Sequence, residues 1–234
     1  GENILTIDPQ SGFVRDVQFS PNNDKVASTS WDSTNGGTAR IYDAKTGEEL
    51  RRFFAHRDVI TSIAFTPDGT QLVTASWDKS IKFWDIEKGV ELRSYVGFDE
   101  RIINIDFTPD GEYLIIGLGN VGDNAITTDQ DNPTDTSVWL WDLENRTQIK
   151  AFSGHHDWTW TVDISPDGKL AASGSGPLRM PASGVTDTTA RIWDIETGQE
   201  IRTLVGHTDT VDSVKFTPDG NFLLSSSWDG TIKR

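Results

Sequence analysis

Short segments in which apolar and polar residues alternate recur along the chain, and residues that favour a tight turn follow each of them. In Val211–Phe216 the apolar side chains fall near a period of two, and residues 217–220 (Thr-Pro-Asp-Gly) follow at once. Proline presets φ for such a turn and glycine accepts a positive φ, so the pattern predicts two strands joined by a hairpin. In the first copy, residues 21–23 (Pro-Asn-Asn) serve the same turn, because asparagine tolerates the left-handed region.

The same pattern is spelled out five times, which makes the chain a repeat protein. The last apolar residues of the five first strands are separated by 46, 42, 57 and 52 residues, and they are Phe19, Phe65, Phe107, Ile164 and Phe216. The extra lengths fall between the second and third strands, so we expect the insertions to gather on one face. A repeat of four short strands cannot bury its own apolar face and must stack on its neighbours.

Dipeptides within the repeats resemble the signatures of the WD40 family of β-propellers over essentially the whole chain. They are Gly154-His155 and Gly206-His207 for its Gly-His pair, and Trp84-Asp85, Trp141-Asp142, Trp193-Asp194 and the variant Tyr42-Asp43 for its Trp-Asp pair. Several such pairs in register make the resemblance specific. It implies an all-β fold, a WD40-type β-propeller with five four-stranded repeats, which we expect to be a segment of a larger ring of about seven blades.

We expect residues 1–234 to form a single propeller domain or a segment of one. The predicted division is 1–9 as the fourth strand of a preceding blade, four repeats at 10–54, 55–97, 98–153 and 154–205, and an incomplete fifth repeat at 206–234. The N-terminal segment could pair with the end of the chain and close a five-bladed ring. In a larger ring it would pair elsewhere or lie unpaired.

A set of His, Ser or Thr, Asp and Trp residues recurs in three repeats. The members are His56, Thr74, Asp78 and Trp84; His155, Ser173, Asp187 and Trp193; and His207, Ser225 and Asp229. A hydrolase triad uses three of these residue types. The family resemblance instead implies structural tetrads, in which the Asp holds the His, the His meets the hydroxyl, and the hydroxyl meets the indole. Because a catalytic site is needed once and a structural one in every blade, we expect no catalytic residues and no enzyme.

Two repeats depart from the tetrad pattern. The third has Phe98 and Ile116 in place of His and the hydroxyl residue but keeps Asp135 and Trp141, and the first has Gln10 and Tyr42, keeps Ser28 and leaves Asp32 ambiguous as the Asp. Losing both partners of a buried hydrogen bond costs less than losing one. The loss of one partner leaves the other buried and unsatisfied, which costs about 1–3 kcal/mol. We therefore expect packing to hold these two blades more than hydrogen bonds do.

Tryptophan and arginine supply the candidate binding surface. By family resemblance, eight positions project onto the face that receives the insertions: Phe13, Arg15, Trp31, Trp77, Arg101, Trp158, Trp160 and Trp228. Aromatic residues and arginine are typical of the energetic centres of protein interfaces. Two alternatives stay open: the indoles form a satellite core beneath the loops, or a small ligand occupies a cavity there. Accessible indole surface would favour binding.

Composition and charge narrow the partners and cofactors. The chain has 36 acidic and 21 basic residues, a net charge of −15 and no cysteine. Phosphate contacts need clustered Lys and Arg, so we expect no nucleic-acid partner and no anionic membrane surface. Without cysteine there is no disulfide, thiolate nucleophile or cysteine metal site. The acidic insertion with Asp123, Asp129, Asp131 and Asp135 lacks an EF-hand glycine, so we interpret it as a solvated loop, with cation binding left open.

These observations favour a protein-protein interaction scaffold that binds a protein or a peptide on its loop-rich face, without cofactor or metal. The alternative is a structural or sensory module of a larger multidomain protein. A small-ligand-binding or enzymatic propeller is disfavoured, because the departures from the repeat pattern run toward Phe, Ile and Tyr. No long apolar run is present, and we expect a cytoplasmic location.

Overall fold

The computed structural model describes residues 5–7, 12–32, 36–119, 137–177 and 186–234, and every regular element within these ranges is a β-strand. The strands form five antiparallel sheets in which successive strands are hydrogen-bonded neighbours. The predicted all-β fold of four-stranded repeats is confirmed. The chain divides into two compact units, Gly1–Ile102 and Ile103–Arg234.

The first unit contains two four-stranded sheets. The first sheet consists of β1 (Phe13–Phe19), β2 (Lys25–Asp32), β3 (Gly36–Asp43) and β4 (Glu49–His56), and the second of β5 (Ile60–Phe65), β6 (Gln71–Ser76), β7 (Ser80–Asp85) and β8 (Val90–Val96). Their core forms where the two sheets meet: Ile41 and Phe53 of the first pack with Ile63 and Trp84 of the second. The rings of Phe53 and Trp84 lie 5.1 Å apart. Neither sheet buries its apolar face alone.

Three further sheets complete the chain, and all but the first two residues of β9 lie in the second unit. They comprise β9 (Arg101–Phe107), β10 (Tyr113–Gly119), β11 (Val138–Asp142) and β12 (Thr147–Phe152); β13 (Trp158–Ile164), β14 (Leu170–Gly176), β15 (Ala190–Asp194) and β16 (Glu200–Leu204); and β17 (Val211–Phe216), β18 (Leu223–Ser227) and β19 (Ile232–Lys233). One apolar cluster joins β11 and β12 to β13 and β15, with Phe152 and Trp193 5.8 Å apart. A second cluster includes Ala172 and Val214.

The Pro-Asp-Gly hairpins have the predicted conformation. Gly69 and Gly168 adopt φ of 69° and 73°, and Asn23 takes the equivalent position in the first hairpin with φ of 59°. The turns also touch from one sheet to the next within a unit: a Cβ on Gly168 would lie 3.2 Å from the ring of Pro109. The sequence motif therefore forms the hairpin and contributes to the contact between sheets.

A β-bulge near the start of the first strand recurs in four of the sheets and was not predicted. The register shifts between Val14 and Val17, Ile60 and Ser62, Thr159 and Thr161, and Val211 and Ser213. A bulge leaves a residue out of the ladder and re-aims its side chain. Arg15, Thr61, Trp160 and Asp212 occupy these positions, so two of the candidate binding residues lie at bulges.

The predicted N-terminal strand is described only in part. Residues 1–4 lie outside the described ranges, and Leu5, Thr6 and Ile7 form no regular element. Within the described residues, the sheet of β17, β18 and β19 has three strands. The division at 1–9, 10–54, 55–97, 98–153, 154–205 and 206–234 stays a prediction, with β4 running to His56, past the expected boundary at 54.

Candidate functional site: polar tetrads and an aromatic-arginine cluster

A chain of hydrogen bonds joins the end of β4 to β6, to β7 and to the turn between β6 and β7 in the second repeat. Nδ1 of His56 lies 3.0 Å from Oδ2 of Asp78, and Nε2 lies 2.8 Å from the hydroxyl of Thr74. The indole N–H of Trp84 donates to the same hydroxyl at 3.0 Å. Because a carboxylate only accepts, His56 carries its proton on Nδ1, and the Thr74 hydroxyl donates to Nε2.

The fourth repeat repeats this geometry. His155 Nδ1 lies 2.8 Å from Asp187, its Nε2 lies 2.7 Å from the Ser173 hydroxyl, and Trp193 donates to that hydroxyl at 2.8 Å. The backbone N–H of His156 adds a bond to Asp187 at 3.1 Å. A network with every polar member satisfied stabilises the strands that it joins.

In the fifth repeat, three residues meet in the same way. Nδ1 of His207 lies 2.8 Å from Asp229, and Nε2 lies 2.9 Å from the Ser225 hydroxyl. Hydrogen bonds from Thr231 and His207 hold the pKa of Asp229 below its usual range despite burial. The Asp therefore serves as an anionic acceptor here too.

The electrostatics of the other two sets favour an ionised Asp. Burial by itself raises the pKa of Asp78, but hydrogen bonds from His56 and Ser80 outweigh it and hold this pKa at about 2. Burial also raises the pKa of Asp187, but the hydrogen bond from His155 outweighs it, and the pKa is lowered overall. Burial lowers the pKa of His155 itself. At neutral pH both carboxylates are therefore ionised, and Asp187 accepts the Nδ1–H bond of a neutral His155.

These sets have the residue types of a hydrolase triad, but the hydroxyls of two of them are fully buried. The hydroxyls of Thr74 and Ser173 are fully buried, and each already accepts an indole N–H. A catalytic serine must instead face a substrate carbonyl and an oxyanion site. The arrangement can hold strands together, and in its two complete copies the hydroxyl is buried and hydrogen-bonded within the tetrad.

The first and third repeats fill the tetrad positions differently. Phe98 and Ile116 are buried apolar residues, as the sequence predicts for a site that lacks both polar members. Ser28 and Tyr42 are also buried. Burial raises the pKa of the Tyr42 phenol, and the two hydroxyls lie close enough for the Ser28 side chain to lower this pKa in part. Gln10, Asp135 and the side chain of Asp32 lie outside the described part of the chain.

The first unit brings three of the predicted binding residues together at Trp77, and we call Arg15, Trp77 and Arg101 the Trp77 cluster. The guanidinium carbons of Arg15 and Arg101 lie 5.8 and 4.8 Å from the centre of the indole. Trp77 is half-buried, and its backbone N–H donates to Val59 at 3.0 Å, which fixes the turn after β6. Both distances are within the range of cation-π attraction.

Near the edge of the same unit, Phe13 is 81% exposed and pairs across β1 and β2 with the half-buried Trp31. Both residues therefore offer apolar surface.

The three predicted binding residues of the second unit form an aromatic stack instead. Trp158 and Trp160 lie 5.4 Å apart and nearly parallel, and Trp228 contacts Trp160 at 5.6 Å. Trp158 and Trp160 are each only 8% exposed, whereas Trp228 is 51% exposed. The Trp160 indole donates to the carbonyl of Gly176 at 2.9 Å. Trp158 and Trp160 thus have little surface to offer a partner, and Trp228 has much more.

The sequence analysis did not predict a set of hydrogen bonds from basic side chains to backbone carbonyls of the neighbouring sheet. Arg51 donates to the carbonyls of Ile86 and Glu87 at 3.0 and 2.6 Å, and Lys150 donates to those of Ile195 and Glu196 at 2.9 and 2.6 Å. A cation stands at this position in four fourth strands, Arg51, Arg93, Lys150 and Arg202. The recurrence of a basic residue at one repeat position could have been used to predict this contact.

A second missed link joins the first strands of neighbouring sheets through side-chain acceptors. Asp16 accepts from the backbone N–H of Ile63 at 2.9 Å, and Asp163 accepts from that of Phe216 at 2.7 Å. Asp106 accepts from Ile164 at 3.1 Å. Burial raises the pKa of Asp106 to about 6. The positive charge of Lys215 lowers this pKa in part, and the negative charge of Asp163 raises it further.

The described residues also bear on metal binding and on membrane insertion. Across the ranges that the structure describes, no three acidic or histidine side chains are grouped so as to hold a metal ion. The acidic insertion at Asp123, Asp129, Asp131 and Asp135 lies outside these ranges. In the same part of the chain, no helix has the length and apolar character needed to span a membrane.

Comparison with known proteins identifies the repeats. The family model described as "WD domain, G-beta repeat" matches residues 1–43, 47–85, 146–194 and 198–233. The chain is 35% identical over 180 residues to nuclear distribution protein PAC1 of Arthroderma otae. The matched region covers 76% of this chain and 36% of that protein. It is 25% identical over 234 residues to guanine nucleotide-binding protein subunit beta of Zea mays, at 97% and 56% coverage. The chain therefore spans from about a third to just over half the length of these relatives. Since the family model matches well over half of its residues, the chain belongs to the WD40 family.

Proposed function

We propose that this chain is a non-catalytic scaffold that binds a protein or a peptide through the surface around the Trp77 cluster. The observation that carries the proposal is the half-buried Trp77 indole beneath the guanidinium groups of Arg15 and Arg101. Trp and Arg are the residues that most often dominate binding energy at interfaces. Arg15 lies at a β-bulge, a feature that frequently re-aims side chains beside functional sites. The name of the Zea mays relative, a subunit, supports a role in assembly.

The polar tetrads support a function without catalysis. The buried hydroxyls of Thr74 and Ser173 are engaged by His and Trp of their own tetrads. A nucleophile needs access to its substrate. We propose that the tetrads stabilise the sheets and that the chain works without a catalytic residue or cofactor.

The proposed partner is a protein, and not nucleic acid or a membrane surface. A net charge of −15 repels phosphate backbones and anionic headgroups, which are bound by clustered Lys and Arg. We also propose a cytoplasmic location, because the chain has no cysteine and so gains no disulfide from an oxidising compartment.

A cross-linking experiment tests the docking surface. A photoreactive amino acid replaces Arg57, whose backbone N–H bonds to Asp78 next to Trp77, and cross-linked proteins are identified from a lysate. We expect a discrete product that Trp77→Ala abolishes and Trp228→Ala leaves intact, with melting temperatures measured for both. Cross-linking that survives Trp77→Ala, or a loss of folding that alone explains its disappearance, would overturn the proposal.

A further inference from the structure

We propose that a groove between the first two sheets binds a short peptide segment in which an apolar residue lies next to a lysine or an arginine. The backbone of the segment pairs with the side-chain amide of Gln71, its apolar side chain packs on Leu92, and its cation meets Glu87. The proposal does not depend on docking at the Trp77 cluster, because the residues of that cluster do not line the groove.

The groove lies wholly within the first unit, and both sheets of that unit contribute to its walls. Its volume of about 530 Å³ is within the range of roughly 300–1,000 Å³ that is common for ligand sites. Ile86 is buried and Leu50 is half-buried against the core of the unit, whereas Leu92 is 45% exposed. An apolar side chain in the groove therefore extends this core and covers an exposed leucine.

Gln71 lines the groove, and the oxygen of its side-chain amide is buried without a hydrogen-bond partner among the residues that the structure describes. An unsatisfied buried acceptor is costly, and a ligand that supplies a donor removes this cost. The torsion that orients a terminal amide is broad, so a rotation turns the amide toward the groove. An amide carries an acceptor and two donors, which match the N–H and the C=O of a peptide unit.

The amide at this position distinguishes the second repeat from its neighbours. Gln71 pairs with Asp85 at the start of the second strand. The residues that pair with the corresponding aspartates of the first, third and fourth repeats are Lys25, Tyr113 and Leu170. The same strand pairing thus accommodates very different side chains, so the local fold does not require an amide here.

The charged side chains of the groove are engaged, with the exception of Glu87. Lys25 lies 2.7 Å from Asp24, and Arg51 donates to three backbone carbonyls at 2.6–3.0 Å. Asp85 accepts hydrogen bonds at 2.8 and 3.0 Å from the turn that follows it. Glu87 is exposed, and none of the ion pairs among the described residues involves it. The groove therefore has a carboxylate available for a cation.

The charge of the whole chain favours the same ligand. A net charge of −15 attracts cationic segments and repels anionic ones within a screening length of about 8 Å at physiological salt. An anionic ligand would also have to displace the carbonyls that Arg51 already binds. Because an exposed ion pair contributes little affinity by itself, the apolar contact and the backbone pairing supply most of the binding, and Glu87 selects among peptides.

Fluorescence anisotropy with the full chain and a fluorescein-labelled pentapeptide, glycine-lysine-leucine-lysine-glycine, tests the proposal. Three matched peptides carry glutamine in place of both lysines, serine in place of leucine, or a methyl group on the leucine amide nitrogen. We expect binding to weaken about two- to fivefold without the charges and about tenfold without the leucine side chain or its N–H.

A substitution at Gln71 tests the backbone pairing. Gln71→Leu introduces the side chain that Leu170 has at the corresponding position of the fourth repeat, so we expect the fold to be kept. It should weaken binding of the parent pentapeptide about tenfold and leave binding of the N-methylated peptide unchanged, because that peptide lacks the N–H that pairs with the amide.

A substitution at Glu87 tests the preference for a cation, and the fourth repeat supplies a matched control. Lys150 donates to the carbonyl of Glu196 at 2.6 Å, as Arg51 does to that of Glu87 at 2.6 Å. Both contacts use the backbone, so Glu87→Gln and Glu196→Gln leave them in place. Glu87→Gln should remove the preference for lysine over glutamine, and Glu196→Gln should keep it.

Three results would each overturn the proposal: equal binding of the lysine and glutamine peptides, unchanged binding of the N-methylated peptide, or equal losses for Glu87→Gln and Glu196→Gln. If Gln71→Leu impairs folding, Leu92→Ser at an exposed position should still weaken binding of the parent pentapeptide. Loss of binding in Trp77→Ala but not in Leu92→Ser would assign the peptide to the Trp77 cluster. The cross-link from position 57 should persist in Glu87→Gln, so the docking function and the groove can fail separately.

Discussion

Replacing His155 by alanine should destabilise the second unit far more than replacing its exposed neighbour His156. The His155 side chain is fully buried and links Asp187 at 2.8 Å to Ser173 at 2.7 Å. Its removal leaves the buried Asp187 carboxylate with fewer donors and opens a small cavity. Ser173 keeps its bond from Trp193. Stranding one buried, charged acceptor while losing a hydrogen bond costs about 2–4 kcal/mol of unfolding free energy.

The measurement is a thermal melt of both variants in the full chain. For a protein of this size, about 2–4 kcal/mol corresponds to a decrease in melting temperature of roughly 5–15 °C. His156→Ala keeps the backbone N–H that bonds to Asp187, so we expect almost no shift. The double variant His155→Ala/Asp187→Ala should lose less than the sum of the two single changes, because the second removes the stranded charge. Equal shifts for His155→Ala and His156→Ala would refute the role of the tetrad.

Three further predictions concern pH and the links between sheets. The pKa of Asp78, held at about 2, lies below its value of about 4 in an unfolded chain; its contribution to stability should be lost as pH falls from about 4 to about 2, and Asp78→Asn should flatten that part of a pH titration of unfolding. Asp106 has the opposite sign: with a folded pKa raised to about 6, stability should decline as pH rises from about 4 to about 6, and Asp106→Asn should remove this decline. A titration with the same slope for both variants would contradict these signs. Lys150→Met removes the donor to two carbonyls and should cost about 1 kcal/mol in chemical denaturation, whereas Lys169→Met, at an exposed position, should be near neutral.

The strands and hairpins could be predicted from the sequence because they depend on local chemistry. Pro-Asp-Gly fixes the turn, and the alternation of apolar residues fixes which face is buried, as Phe216 and Gly168 illustrate. The meeting of His155 with Ser173 and Asp187 follows from the strand register once the repeat is recognised. These features recur with the repeat, so several copies support each inference.

The exposure of the tryptophans could not be predicted in the same way. Trp158, Trp160 and Trp228 share a predicted face, but whether an indole is covered depends on the neighbours that stack on it. Trp160 is buried between the other two rings, while Trp228 at the end of the stack keeps half of its surface exposed. Position within a repeat determines the direction of a side chain, and tertiary packing determines how much of it a partner can reach.

The recurring bulge explains how one backbone can carry different roles in different repeats. At this position Thr61 donates to the carbonyl of Ala75 at 3.1 Å, and Trp160 donates to that of Gly176 at 2.9 Å. Arg15 occupies the same position but lies over Trp77 with its side chain exposed. The first two side chains close a hydrogen bond within their own sheet, so they stabilise the blade. One position of the repeat therefore supports a hydrogen bond within the sheet in two cases and a cation-π contact with a neighbouring turn in the third, so the residue type at the bulge, and not the strand pattern, decides which contact forms.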